Sequence, residues 1–402
     1  MADANFPASL PDVSTITSGM TLLAADLADQ QETDRNELIA LSEKIGLGAS
    51  TPARGKVSVG TGTGTSAFDR IARPNLLLNG SAQIDQRGAL ASVDNTYGPD
   101  LWRVLMESAS GWTLQQTASN LPSTGAGRKG FVLTVGATNN VKGGIWQPIR
   151  SGTVGRLRGG TASVQMRAVV SNARVGDVRV GIIQWTGTAD NGGTIWADPV
   201  SAWGSAGSLP TLIAGWTFAN TPANLSVPVT THGDPLMIEG VPISSSANNL
   251  GVLIWCDDKT TTAGDTLTIT DIKLEAGDYC TAVDDRPVEE ERTLCREYFK
   301  LLGGVTNANV APSYSSSTTQ ALGSLSWDRM YGVTPVVTVG TVTSFTVSSA
   351  AGSPACTNMT ATAPSATGCT LTATVASGLT AGQGSYIYAN AATGTLAVAA
   401  PW

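Results

Sequence analysis

Between residues 101 and 274 the chain is cut into short apolar runs by turn residues, and no run has a helical period. The runs are Leu101–Glu107, Trp112–Thr117, Gly130–Val135, Gly144–Ile149, Thr161–Val170, Asp177–Trp185, Thr211–Ala219, Asn224–Thr231, Leu236–Ile243, Leu250–Cys256 and Thr266–Leu274. Gly159-Gly160, Asn191-Gly192-Gly193 and Asp257-Asp258 punctuate them. Roughly ten strands at this spacing, without helices between them, predict a two-sheet antiparallel sandwich. A jelly roll over residues 67–285 is the specific expectation, in a chain that is mainly all-β.

The last run leads into the clearest helix signal. Simple alternation puts Leu267, Ile269, Asp271 and Lys273 on one face of the strand, and Thr268, Thr270, Ile272 and Leu274 on the other. Asp284-Asp285-Arg286-Pro287 reads as a helix start, with Glu289, Glu290 and Glu291 in the first turn where the helix dipole favours them. Leu294, Cys295, Tyr298, Phe299 and Leu302 make one apolar stripe, and Gly303-Gly304 is a stop. One short linking helix is therefore expected over residues 286–304, packed on its own sheet or on sister helices.

The flanks differ in kind. Residues 1–19 carry Pro7 and Pro11 and read as disordered or as an extended peptide that docks on a partner. Over residues 20–47, Met20, Leu23, Leu27, Leu38, Leu41 and Ile45 recur at heptad spacing, with polar Gln30 and Asp34 at core positions and one four-residue slip. This narrow seam predicts a coiled-coil helix that associates with copies of itself, in preference to a single amphipathic helix folded onto its own domain. Residues 48–66 form a Gly/Thr-rich linker. Residues 305–402 are rich in Thr, Ser, Ala, Gly and Val, and read as a small β domain. Its expected strands are Trp327–Gly332, Val336–Val342, Phe345–Ser349, Gly368–Val375 and Ser385–Ala389. So few large apolar side chains favour a unit completed by neighbouring copies.

Composition excludes several functions. Charged residues are 14% of the chain and the net charge is -7, which argues against a duplex nucleic-acid binder. No apolar run approaches the roughly 20 residues of a membrane span, so no membrane insertion is expected. The N-terminus lacks a basic region followed by an apolar core, so no secretory signal is read. Cys256, Cys280, Cys295, Cys356 and Cys369 form no zinc spacing, and free buried thiols are preferred over a Cys356–Cys369 pair. The one histidine, His232, sits in a Thr-His-Gly-Asp-Pro turn, and no G-x-S-x-G elbow exists. Asp257, Asp258, Asp265, Glu275, Asp284 and Asp285 are the carboxylates available for glycosidic chemistry, and nothing pairs two of them across a cleft. Asp257-Asp258-Lys259 reads as a hairpin tip. No enzyme, cofactor or metal is expected.

Two separated motif sets carry a resemblance. Pro74-Asn75-Leu76-Leu77-Leu78-Asn79-Gly80, Gln86-Arg87-Gly88 and Tyr97-Gly98-Pro99-Asp100-Leu101-Trp102 resemble the opening of many bacteriophage tail-fibre and related virion proteins. Leu274-Glu275-Ala276-Gly277, Arg286-Pro287, Glu290-Glu291 and Leu294-Cys295-Arg296-Glu297-Tyr298-Phe299 resemble the closing signature of the same proteins. Lys273 departs from the usual polar residue before Leu-Glu. The likeness covers residues 73–304 well, 305–402 loosely and the N-terminal segment not at all. It implies a jelly roll similar to carbohydrate-binding modules, in a homotrimeric fibre assembled in the bacterial cytoplasm and carried on the virion.

On that expectation residues 1–19 dock on other virion proteins and the chain contributes to attachment at host surface glycans. A capsid head fibre or decoration protein without receptor role is the first alternative. A carbohydrate-binding module of a larger enzyme system is the second. The glycan-site candidates are Trp185, Asp190, Asn191, Trp196, Asp198 and Trp203, because indole faces stack on sugar C–H surfaces and Asp or Asn bind hydroxyls. Packing at a sandwich edge or between subunits is the competing reading for these tryptophans.

Overall fold

A computed structural model of the protein describes residues 56–60, 66–70, 72–88, 90–122, 127–191, 195, 197–229, 234–258, 260–283, 286–331 and 334–400. The expected coiled coil and its residues Met20, Leu23, Leu27, Leu38, Leu41 and Ile45 lie outside them, as do residues 1–19. The chain divides into two compact units, 1–72 and 73–402. In the first, the described backbone is an antiparallel pair, β1 (Lys56–Gly60) and β2 (Ser66–Arg70).

The second unit begins with an antiparallel sandwich. Its strands are β3 (Thr96–Tyr97), β4 (Arg103–Met106), β5 (Trp112–Thr117), β6 (Gly130–Val135), β7 (Gly143–Ile149), β8 (Thr161–Val170) and β9 (Val178–Trp185), then β10 (Val200–Ala202), β11 (Thr211–Leu212), β12 (Trp216–Phe218), β13 (Leu236–Pro242), β14 (Asn249–Cys256) and β15 (Thr266–Ala276). One sheet runs β12-β9-β14-β7-β4-β3 and the other β13-β8-β15-β6-β5. Ile145, Ile182, Val252 and Ile254 from the first meet Leu133, Val164, Ile269 and Leu274 from the second in the core.

The six-stranded sheet is covered on both faces. All eight residues of β14 are buried. Leu250, Val252, Ile254 and Cys256 enter the sandwich core, while Leu253 and Trp255 enter a second cluster with Trp146, Trp185, Trp203, Trp216, Cys295 and Tyr298. A strand with two dry faces reads as a continuous apolar run, which is how Leu250–Cys256 reads in the sequence.

β15 corrects the simple alternation. Its pairing with β8 shifts register between Thr270 and Lys273, and Asp271 has φ +56°. The extra residue of this bulge reverses the phase, so Leu267, Ile269, Ile272 and Leu274 all enter the core. Lys273 and Glu275 are also fully buried, at 0% relative exposure each. The Lys273 ammonium lies 3.2 Å from Glu275 and donates to Thr281 Oγ1 at 2.6 Å and the Ala282 carbonyl at 2.8 Å. Glu275 accepts from the Thr281 hydroxyl and backbone N–H at 2.5 Å each. Two buried charges persist because each satisfies the other and both hold the same turn.

The helix is shorter than expected. It spans α1 (Val288–Arg296), with its acidic first turn at Glu289–Glu291 as anticipated, and Phe299 and Leu302 then belong to strand β16 (Phe299–Gly303). The partner strand decides this: Phe299 pairs with Ala399 and Leu302 with Leu396, which outweighs helical spacing. The stripe residues Cys295 and Tyr298 pack on the chain's own sheet cluster.

β16 opens a second, smaller sandwich. Its other strands are β17 (Ala308–Ser315), β18 (Gln320–Ser326), β19 (Val336–Val339), β20 (Phe345–Ser349), β21 (Cys356–Ser365), β22 (Gly368–Val375), β23 (Gly384–Ala389) and β24 (Thr395–Ala399). They form a three-stranded sheet β16-β24-β19 and a six-stranded sheet β20-β23-β17-β18-β22-β21 around Phe345, Val347, Leu371, Ile387, Leu396 and Val398. The expected strands at Asn224–Thr231 and Trp327–Gly332 are absent among the described residues, and Thr211–Ala219 breaks at Gly215, where φ is +99°. All five cysteines are buried and free, Cys356 and Cys369 included.

Replacing Lys273 by Met should destabilise the protein by about 3–5 kcal/mol, because Glu275 loses the ammonium beside it inside the fold. The double change Lys273→Met with Glu275→Leu should recover most of that loss. Urea unfolding followed by circular dichroism checks both.

Candidate functional site

The opening and closing motifs, some 200 residues apart, build one clasp. Asn75 lies against β15: its amide donates to the Ile272 carbonyl at 2.8 Å and accepts from the Leu274 and Leu77 N–H groups at 3.0 Å each. The Leu76 N–H donates to the Leu274 carbonyl at 2.8 Å, and the Ile272 N–H to the Gly80 carbonyl at 3.0 Å. A Cβ on Gly80 would sit 2.1 Å from the Ile272 oxygen, so only glycine allows that approach. Asn79, at φ +54°, donates to the Ile84 and Asp100 carbonyls and accepts from the Ile84 N–H, all at 2.8–2.9 Å.

The closing motif grips the same loop. Arg286 donates to Glu291 at 2.9 Å, to the Leu77 carbonyl at 3.2 Å and to the Asn75 carbonyl. Glu291 also accepts the Asn79 N–H. Gln86 bridges the Asp100 carboxylate, at 2.5 Å, and the Phe299 carbonyl, at 2.9 Å. The Arg87 guanidinium lies 3.6 Å from the Phe299 ring centre and 3.6 Å from Asp100. Burial pushes the Asp100 carboxyl up to about 6, against the hydrogen bonds of Gln86 and the charge of Arg87.

A polar cavity of about 270 Å3 opens beside the clasp, lined by Asn75, Ser81, Gln83, Arg128, Arg286 and Val288 among others. Its cations are committed: Arg286 to Glu291, and Arg128 to Asp271 at 2.6 Å. The motif residues therefore close the sandwich.

The Trp185–Trp216 segment is placed differently from its sequence reading. Trp185 is 7% exposed and Trp203 6%, so their rings are spent on packing. Trp216 lies edge-on to Trp146 at 6.2 Å and tilted on Trp185 at 5.7 Å. Gly187 and Gly215 wall Trp185, where a Cβ would approach its ring to 2.5 and 2.2 Å. Asp190 accepts from the Ser151 hydroxyl at 2.6 Å and the Asn249 amide at 2.6 Å, tying down the helical turn Ser151–Val154. Asn191 is exposed, and Trp196 lies outside the described residues. Asp198 accepts from the Val200 N–H at 2.8 Å. Burial, with Asp94 beside it, pushes the Asp198 carboxyl up to about 7.

Three of the carboxylates weighed for glycosidic chemistry, Asp257, Asp265 and Glu275, are held in ion pairs, while Asp258 accepts the Asp177 N–H at 2.8 Å. Asp257 is buried rather than at a hairpin tip, and binds Lys142 and, at 2.9 Å, Arg179. Asp265 pairs with Arg174 at 2.9 Å and Glu275 with Lys273. His232, Asp284 and Asp285 lie outside the described residues. Among those residues no three His, Cys, Asp or Glu converge to hold a metal, and no helix is long and apolar enough to cross a membrane.

One exposed aromatic group lies on the C-terminal six-stranded sheet. Tyr386 and Tyr388 alternate with buried Ile387 on β23, and Tyr314 stands on neighbouring β17. Tyr314 is 53% exposed and Tyr386 46%. The period-two Tyr386-Ile387-Tyr388 pattern in an otherwise small-residue strand was the available signal.

No family model matches the sequence, and no curated protein does either. Among solved structures, the enzymatically active domain of tailspike protein 4 from bacteriophage CBA120 is similar at a TM-score of 0.30 and 12% identity. That likeness covers 50% of this chain and 21% of that one. TmCBM61 in complex with β-1,4-galactotriose has a TM-score of 0.27 and 10% identity, over 50% of this chain and 99% of that one. The CBM22-1–CBM22-2 tandem domain from Paenibacillus barcinonensis Xyn10C has 0.28 and 12%, over 83% and 97%. At these scores the likenesses decide neither fold nor function.

Two outcomes are expected. Glu291→Ala strips the Asn79 N–H and Arg286 of their acceptor and should cost about 2–3 kcal/mol in urea unfolding. The Asp198 carboxyl is raised in the folded chain, so its contribution is fully present below the unfolded value near 3.8 and lost as pH rises through about 7. Wild-type melting temperature should accordingly fall between about pH 4 and 7, and Asp198→Asn should flatten that fall by a few degrees. An unchanged slope in thermal melts would remove Asp198 as its cause.

Proposed function

We propose that the chain is a subunit of a homotrimeric bacteriophage tail fibre that contributes to attachment at the host surface. The observation that carries this reading is the clasp. The residues shared with virion-appendage proteins converge, from both ends of the sandwich, on one set of hydrogen bonds around Asn75, Asn79, Arg286 and Glu291. A motif set that does one physical job is stronger grounds for a family resemblance than scattered identities. The job is mechanical, as befits a structural subunit: it ties the first segment of the sandwich to the last. Residues 1–19 would dock on the particle and the heptads of 20–47 would hold three chains together.

Particles labelled with antibody against this chain and imaged by electron microscopy should carry label on the tail. Label on the capsid would establish the head-fibre alternative, and unlabelled particles would remove the virion reading altogether. Light scattering of the full-length protein should report a trimer, and Leu27→Asp with Leu38→Asp should convert it to monomer while melting of the β domains stays unchanged.

A further inference from the structure

The outer face of the C-terminal six-stranded sheet combines three features. The first is a tyrosine ridge. Tyr386 and Tyr388 share that face, with ring centres 5.7 Å apart and planes inclined by 41°. Tyr386 stands opposite Pro312 of β17, and Tyr314 lies two residues further along the same strand, opposite Gly384. Gly384 has no side chain and open space around its Cβ position, so it does not cover the Tyr314 ring. The ridge thus runs diagonally over two adjacent central strands.

The second feature is a field of hydroxyl and amide groups. Tyr314 is opposite Leu322, which is opposite Thr372, which is opposite Thr360. Parallel rows place Gln320, Thr374 and Asn358 together, and Ser324, Thr370 and Thr362. Thr360, Thr362, Thr370, Asn358 and Ser324 are exposed.

The third is the lack of charge. None of the strands β17, β18, β20, β21, β22 or β23 contains Lys, Arg, His, Asp or Glu, and the chain has no charged residue after Arg329.

We infer that this face binds a neutral oligosaccharide, with sugar rings stacked along Tyr314, Tyr386 and Tyr388. The aromatic faces supply contact with C–H surfaces, and Thr, Ser, Asn and Gln on the flanking rows supply donors and acceptors for hydroxyls. A nucleic acid or acidic polysaccharide would need cations to replace its counterions, and the face has none. A second copy of the chain would be expected to bury a more apolar patch than this threonine-lined one. Three rings in a diagonal row fit a chain of sugars better than a single one. The inference rests on the adhesive reading above and adds to it the surface and the ligand class.

Full-length protein on a printed array of neutral and acidic oligosaccharides tests it. Binding should be confined to neutral glycans and should persist in high salt. Tyr386→Ala and Tyr314→Ala should each weaken it about tenfold. Tyr386→Phe should retain most of it, since the stacking face remains. Melting temperature and light scattering of the variants should match wild type. Binding to acidic glycans only, to none on the array, or equally by the alanine variants would overturn the inference. Loss of the trimer in those variants would instead identify the face as a contact between copies. Antibody label on the tail with an unresponsive array would leave the appendage reading standing and remove this face from it.

Discussion

Arg286 and Glu291 hold the first segment of the sandwich against the last, and much of the second unit inherits its geometry from that grip. The segment 73–88 contains no strand. Apart from backbone bonds of Leu76 and Gly80 to β15, its backbone groups are met largely by side chains: Asn75 along β15, Asn79 toward Ile84, Arg286 and Glu291 from beyond the sheet. The helix that carries Glu291 also presents Cys295 and Tyr298 to the tryptophan cluster, and β16 starts at Phe299. Tyr298 accepts the Ala400 N–H at 2.9 Å, so the end of the chain closes on the same place.

Buried charge is used in the same way elsewhere. Lys142 is 0% exposed and is satisfied by Asp257 together with the Ser205 and Ser208 carbonyls at 2.7 and 2.9 Å. Asp257 also takes Arg179 and the Gly207 N–H at 2.9 Å each. Burying such pairs adds little net stability, since desolvation offsets attraction, but a wrong partner would leave a bare charge inside the fold. The loops over the tryptophan cluster are therefore specified more than they are stabilised by these contacts.

The parts legible in the sequence are strands whose large residues alternate or, as in Leu250–Cys256, run on without a break. β5, β6, β8, β20 and β22 were read with their observed bounds because large residues alternate in them. β17, β18, β21 and β24 were missed, since Ala, Ser, Thr and Gly alternate in size too weakly to show a phase. The bulge at Asp271 hid the phase reversal of β15, which no residue type announces. The tryptophans misled for a related reason. Gly- and Pro-rich chain around Trp185 and Trp203 suggests an open loop, whereas Gly187 and Gly215 let backbone lie against the buried Trp185 ring. Tyr386 and Tyr388 sit in an expected strand, Ser385–Ala389, but Tyr314 sits in β17, which the sequence does not mark, so the three are not brought together until the sheet is seen.

A β domain with so little charge, none of it in the six-stranded sheet, meets a problem its neighbour does not. Lysines on edge strands usually deter pairing with other chains, and neutral surfaces associate more readily. Here the edges are blunted by shape. β21, at one edge of the six-stranded sheet, has register shifts near both ends, with Pro364 and an Ala363 at φ +46° in the second. β20, at the other edge, is five residues long, and its own loop folds back on it through bridges to Gly352 and Ala355. In the small sheet β19 has four residues, and β16 carries Lys300, whose ammonium reaches Asp328 at 3.0 Å. With these edges closed by bulges, proline and short length, the broad face of the six-stranded sheet stays open, and hydroxyls and tyrosine rings are what it presents.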